Sequence, residues 1–132
     1  MRRIVDPSIN PGRGEIWEVS LDPVKGMEMN AHGGTRPCII LTTEAFRSLR
    51  LRAVVPITEW KEYLERQPWA ITLEPDKING LDKRSIAQAN QVRTVSLDRF
   101  YTDKAEAFYR GKVTDEQLEA VTLAVGMVIG HP

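Results

Sequence analysis

Glu15-Ile16-Trp17-Glu18-Val19-Ser20-Leu21 alternates: Trp17, Val19 and Leu21 fall on one side and Glu18 and Ser20 on the other, the period of a half-buried β-strand. Reading outward from this stretch, short segments of the same kind recur. Cys38-Ile39-Ile40-Leu41-Thr42 is apolar and β-branched, and Ala53-Val54-Val55-Pro56-Ile57-Thr58 is a second such run interrupted by a proline. Pro56 has no N–H to give to a ladder, so this second run is expected at a sheet edge or a bulge. Trp69-Ala70-Ile71-Thr72-Leu73 and Ser85-Ile86-Ala87-Gln88-Ala89 are further strands, separated by turn residues at Pro75-Asp76-Lys77 and Asn79-Gly80. Residues 96–101 suit a short helical turn, and residues 105–113 fit strand and loop equally well. At the C-terminal end, Thr114 and Gln117 form a capping box. Leu118, Val121, Val125, Val128 and Ile129 then recur at helical spacing before Gly130. The expected architecture is mainly β, a β-barrel-like sheet with added helices and one amphipathic C-terminal helix laid on it.

The 132 residues, 42% of them hydrophobic, suit one compact domain with its own core. Pro7, Asn10, Pro11 and Gly12 mark residues 1–13 as an irregular arm, which leaves residues 14–132 as the single domain. Lys plus Arg and Asp plus Glu number 18 each, so the net charge is zero and any nucleic-acid site must be a local patch. Cys38 is the only cysteine, which excludes an intramolecular disulfide and fits a reducing compartment. Arg2 and Arg3 precede no apolar run of signal-peptide length, and no stretch approaches a membrane span. A soluble, cytoplasmic protein without membrane contact is expected.

The chemistry-bearing motifs are fewer. His32 and His131 are far apart, the carboxylates are dispersed, and neither a P-loop nor Gly-x-Ser-x-Gly is present. No metal and no cofactor are therefore expected. Residues 22–36 form a long connection containing Pro23, Gly26, Gly33 and Gly34, and loops of that length are often functional. Within and after it come Gly26-Met27-Glu28, Thr35-Arg36-Pro37-Cys38-Ile39-Ile40-Leu41, Val54-Val55-Pro56-Ile57-Thr58 and Gln91-Val92-Arg93-Thr94. Together with Gly14-Glu15-Ile16-Trp17, in this order and spacing, they resemble the MazF/PemK family of toxin endoribonucleases, from about Gly14 to the C-terminal helix.

That resemblance implies an SH3-like barrel of the CcdB/MazF/PemK toxin type, built as a homodimer. It implies the toxin component of a type II toxin–antitoxin system, held in check by a cognate antitoxin whose disordered acidic segment covers the RNA groove. The implied activity is metal-independent, sequence-specific cleavage of single-stranded RNA. The ribose 2′-hydroxyl attacks the adjacent phosphate, leaving a 2′,3′-cyclic phosphate and a 5′-hydroxyl.

Such a reaction needs a proton acceptor, a proton donor and cationic or hydrogen-bonding groups around the phosphorane. An arginine fork at Arg36 suits two phosphate oxygens, and the alternative is a surface ion pair with Glu28 or Glu15. Thr58 either donates to the same phosphate or caps the segment at Glu59-Trp60-Lys61. The family's catalytic pair matches Arg36 and Thr58. Glu28 is either a general base or a group that orients Arg36, and arginine itself is a poor proton shuttle. Thr35, Gln91, Arg93 and Thr94 are the remaining RNA-binding candidates, with Arg93 on phosphate and Gln91 on a base edge, or else merely a strand end. The family commonly has an acidic residue directly before this glutamine, and here that position is Asn90. The loop between Met27 and Thr35 carries extra residues, read either as a lid or as a neutral insertion. Trp17, Trp60 and Trp69 are assigned to core or interface rather than to base stacking. Two other readings compete: a non-enzymatic CcdB-like toxin that binds a topoisomerase, and an inactive SH3-like binding module. The topoisomerase-binding reading gives Arg36 and Thr58 no reason to match the catalytic pair.

Overall fold

The computed structural model describes residues 3–4, 9–32, 34–101 and 106–131. Its strands are β1 (Arg3–Ile4), β2 (Glu15–Val19), β3 (Arg36–Ile40), β4 (Leu51–Glu59), β5 (Ala70–Leu73), β6 (Ser85–Gln88), β7 (Arg93–Ser96) and β8 (Phe108–Lys112). All pair antiparallel, along a path β1-β8-β2-β3-β4-β6-β5 from which β7 branches at β4. The path ends at β1 and β5 and does not close on itself, so the expected barrel takes the form of an open sheet. Helices α1 (Glu62–Glu65) and α2 (Asp115–Ile129) complete the fold.

The central strands are covered on both faces. Trp17, Val19, Cys38, Ile40 and Val54 belong to one core with Leu97 and Phe100, where Trp17 meets Phe100 and Tyr109 edge-on. Their alternate neighbours Ile16, Ile39, Val55 and Ile57 belong to a second core that includes Val121 of α2. Glu18 shares its strand face with Ile16 and is therefore buried, at 1% exposure, although simple alternation sends it to solvent. An ion pair with Arg110 makes that burial tolerable.

Several expectations change in the same way. β4 is central, not an edge strand: its first half pairs with β7 through Leu51–Val54, and its second half with β6 through Ile57–Glu59. Pro56 lies between these two ladders and faces Cys38 of β3, so its missing N–H falls where neither β6 nor β7 is paired. Within the segment read as an irregular arm, Arg3–Ile4 pairs with Tyr109 and Phe108 of β8. The later part of that segment is packed by Arg52, itself 1% exposed. Arg52 donates to Pro11 O, Asn10 Oδ1, Arg47 O, Leu49 O and Leu51 O at 2.6–2.9 Å. Of residues 105–113, open between strand and loop, 105 lies outside the described residues and Phe108–Lys112 form β8; the turn at 96–101 is a 3-10 turn over Leu97–Phe100.

The α2 helix begins as expected. Thr114 Oγ1 accepts from Gln117 N at 3.1 Å, and Gln117 Oε1 accepts from Thr114 N at 2.9 Å. Val121 and Ala124 are buried, with Leu118 and Val125 partly so, but Val128 and Ile129 are exposed beside Leu123 and Met127. No helix among the described residues is long and apolar enough to cross a membrane. Thr114→Ala removes one half of the capping box and should cost about 1 kcal/mol. Urea unfolding should register this as a lower midpoint with an unchanged slope.

Candidate active site

Arg36 opens β3 and Thr58 lies near the end of β4. The two strands pair with Cys38 opposite Pro56, and continuing that register by two residues sets Arg36 opposite Thr58. Two cavities of about 450 Å³ each flank this pair. One is lined by Glu18, His32, Thr35, Asp82, Lys83 and Arg110 among others, and the second by Glu28, Lys61, Trp69, Gln88, Asn90 and Gln91 among others. Among the described residues, only Arg36 and Thr58 line both. They stand at the junction of the two cavities.

Arg36 is held by backbone, not by a carboxylate. Its Nε donates to Asn30 O at 2.6 Å and its Nη1 to Ile57 O at 3.3 Å. The second fork nitrogen, Nη2, has no partner among the described residues, so a charged donor faces the cleft with its direction already set. The expected alternative, a surface ion pair with Glu28 or Glu15, is not formed. Glu15 Oε1 instead accepts from Trp17 Nε1 at 3.0 Å and Gly12 N at 2.6 Å. Glu28 Oε1 accepts from Lys25 N at 2.7 Å, which closes a turn within the loop. Glu28 thus lines the second cavity without orienting Arg36.

Thr58 is half-buried, and its hydroxyl has no hydrogen-bond partner among the described residues. It caps no helix, since Lys61 is the residue ahead of α1. The remaining candidates separate. Gln91 Oε1 accepts from Met29 N at 3.0 Å and its Nε2 donates to Met27 O at 3.1 Å, so its amide pins the loop that bounds the second cavity. Asn90, exposed, lines that cavity beside it. Thr35 lines the first cavity, but its hydroxyl is committed to Glu18 Oε1 at 2.7 Å. Arg93 and Thr94 on β7 line neither cavity, and Arg93 Nη1 points to Leu21 O at 3.5 Å. Of the tryptophans, Trp17 is core, Trp60 donates to Glu65 beneath the Arg84 guanidinium, and Trp69 reaches the second cavity. Burial, reinforced by the Glu18 charge, pushes the Cys38 thiol far above its ordinary range, so it stays protonated and takes no part as a nucleophile.

Sequence reasoning missed the floor of the first cavity. Arg110 Nη1 meets Glu18 Oε2 at 2.7 Å, and both side chains are almost wholly buried. The signal was faint, since Glu18 sat at an outward position of an alternating strand and Arg110 in a segment of undecided structure.

Residues 12–129 match the family described as the PemK-like, MazF-like toxin of type II toxin–antitoxin systems. The chain belongs to that family. Endoribonuclease PemK of Escherichia coli is 37% identical over 97 residues, covering 73% of this chain and 68% of the relative. Endoribonuclease MazF9 of Mycobacterium tuberculosis is 31% identical over 93 residues, covering 66% and 74%. MazF from Deinococcus radiodurans shares the fold with a TM-score of 0.73 at 19% identity, over 93% of this chain and 99% of that one. A mycobacterial endoribonuclease solved with its cognate antitoxin superposes at 0.66 with 20% identity, over 92% and 97%. The toxin is accordingly an endoribonuclease of the PemK/MazF type, and the topoisomerase-binding and inactive-module alternatives are set aside.

Gln91→Ala removes both bonds that hold the Met27–Met29 loop in this toxin. Amide exchange at Met29 should then accelerate about two- to tenfold, the worth of one ordinary hydrogen bond. Unchanged exchange would mean that the loop is held by other contacts.

Proposed function

We propose that this endoribonuclease cleaves single-stranded RNA at a short sequence, without a metal ion, with the substrate's own 2′-hydroxyl as nucleophile. The observation that carries the reading is that Arg36 Nη2 and the Thr58 hydroxyl, set opposite each other in register at the junction of the two cavities, have no partner among the described residues. A phosphate there takes a charged donor from Arg36 and a neutral donor from Thr58. The Arg36 donor is oriented by its two carbonyl bonds before the substrate arrives, which favours the more highly charged phosphorane over the ground state. As the 2′-oxygen bonds to phosphorus it gives up its proton to solvent, the P–O5′ bond breaks, and the departing 5′-oxygen takes a proton from solvent, giving a 2′,3′-cyclic phosphate and a 5′-hydroxyl. The flanking cavities take the nucleotides on either side. Gln91 shapes the second cavity by holding its loop, and Glu28 lines it, whereas Arg93 and Thr94 would contact RNA only beyond the cleft.

The toxin is proposed to act in the cytoplasm as a homodimer. Leu123, Met127, Val128 and Ile129 of α2 are exposed apolar side chains, and a second copy is the proposed cover. A cognate antitoxin is the proposed inhibitor, in keeping with the mycobacterial relative solved with one.

Arg36→Ala should lower the cleavage rate at least a hundredfold, the scale seen when a charge-stabilising donor is removed, while its melting temperature stays near that of the unaltered protein. Retained activity in the folded variant removes Arg36 from the mechanism. Replacing the single ribose 5′ of the cut by deoxyribose should abolish cleavage but not binding, and EDTA should leave the native substrate's rate unchanged. Products bearing a 5′-phosphate would show that water, not the 2′-hydroxyl, attacks.

A further inference from the structure

The buried ion pair beneath the first cavity has a geometry that reaches the catalytic strand. β8 pairs with β2 as Ile16 opposite Gly111 and Trp17 opposite Tyr109, so Arg110 is the extra residue of a β-bulge. Bulges re-aim side chains, and this one delivers the Arg110 guanidinium to three partners. Nη1 meets Glu18 Oε2 at 2.7 Å, while Nε and Nη2 donate to Gly80 O at 2.9 and 2.6 Å. Nη2 also lies 3.3 Å from Asp82 Oδ2. The turn carrying Gly80 is docked tightly against β8. A Cβ on Gly80 would lie 2.0 Å from Arg110 O, and one on Gly111 would lie 2.1 Å from Ile78 O. Glu18 uses its other oxygen, Oε1, to accept from Thr35 Oγ1 at 2.7 Å. The residue after Thr35 is Arg36.

We propose that Arg110, Glu18 and Thr35 form a positioning chain that anchors the start of β3 and thereby aims the Arg36 guanidinium into the cleft. Thr35 is then a positioning residue acting through Arg36, and its hydroxyl does not contact RNA. The pairing of β3 with β2 ends at Arg36, opposite Val19, and on its other side lies the long loop. A strand end next to a loop frays unless it is tied. Thr35 supplies the tie, and its acceptor cannot wander because Glu18 is clamped by Arg110 in a site almost closed to water. Breaking a buried pair by deleting one partner strands the other charge, so neither Glu18 nor Arg110 leaves the pair cheaply. Arg36 adds its own two bonds to Asn30 O and Ile57 O, and these hold only if its backbone stays in place. A displacement of about 1 Å at a catalytic group can cost about a hundredfold in rate.

The inference rests on the proposed role of Arg36, and the experiment separates the two. Thr35→Val, which keeps shape and loses the hydroxyl, is compared with Thr35→Ser, Glu18→Gln and Arg36→Ala on a fluorogenic RNA taken from a mapped cleavage site. Thr35→Val is expected to lower kcat about 10- to 100-fold. Its KM should stay within about twofold and its melting temperature near the parent's, as for a group that acts only in the transition state. Thr35→Ser should recover activity to within about threefold. Adding Glu18→Gln to Thr35→Val should cost less than the product of the two single effects, since both cut one chain. If Glu18→Gln does not fold, the Thr35→Val and Thr35→Ser pair decides alone. A Thr35→Val protein with unchanged kcat overturns the positioning chain. A raised KM with kcat intact also overturns it, because that marks Thr35 as a direct RNA contact. If Arg36→Ala cleaves normally, the reading of Arg36 itself has failed, and the inference falls with it.

Discussion

The register between β3 and β4 is the constraint on which the site depends. Cys38 sits opposite Pro56, and only this alignment brings Arg36 and Thr58, from distant parts of the chain, to one spot on one face. A slip of one residue would turn one of them to the other side of the sheet. The alignment is held by burial: Ile39 and Val55 face the core shared with α2, and Cys38, Ile40 and Val54 face the other. A sheet buried on both faces cannot slip without exposing one set of aliphatic side chains, each worth roughly 1.5–3 kcal/mol of burial. The geometry of the proposed catalytic pair is thus a by-product of hydrophobic packing on two sides.

Polar groups placed against these cores must be satisfied, and the way this chain satisfies them shapes the cleft. Glu18 is buried with a cation and a hydroxyl, and Arg52 is buried in a cage of carbonyls. Arg36 follows the second pattern, using carbonyls to orient two of its nitrogens and leaving the third to the cleft. Had a carboxylate neutralised it, a phosphate would have to displace that partner first. A chain with zero net charge can in this way present a guanidinium with no carboxylate partner among the described residues, at the proposed anion site.

Much of this was legible in the residues. The strand periods at 15–21 and 38–42, the capping box at Thr114 and the glycine-rich loop all correspond to elements of the fold, and Arg36 and Thr58 do converge. What escaped were features decided at long range. Alternation classifies Glu18 as outward because it cannot anticipate a guanidinium from 92 residues later arriving through a bulge. Pro56 marks an edge by local rules, yet a strand that exchanges one neighbour for another along its length has a gap in which proline costs no hydrogen bond. Val128 and Ile129 continue the helical period past the sheet that α2 covers, and periodicity alone does not show where the partner surface ends. Arg93 and Thr94 were grouped with Gln91 by adjacency, but the 3-10 turn at Ala89–Gln91 leaves Gln91 at the cleft and sends β7 away from it.

The most direct measurement is a crystal structure of the toxin with a substrate RNA made uncleavable by one 2′-deoxyribose at the cut. The account predicts the scissile phosphate at the junction of the two cavities, within hydrogen-bond reach of both Arg36 Nη2 and the Thr58 hydroxyl, about 3 Å. A scissile phosphate seated elsewhere, for instance along β7 against Arg93 with the Arg36–Thr58 junction empty, would contradict it.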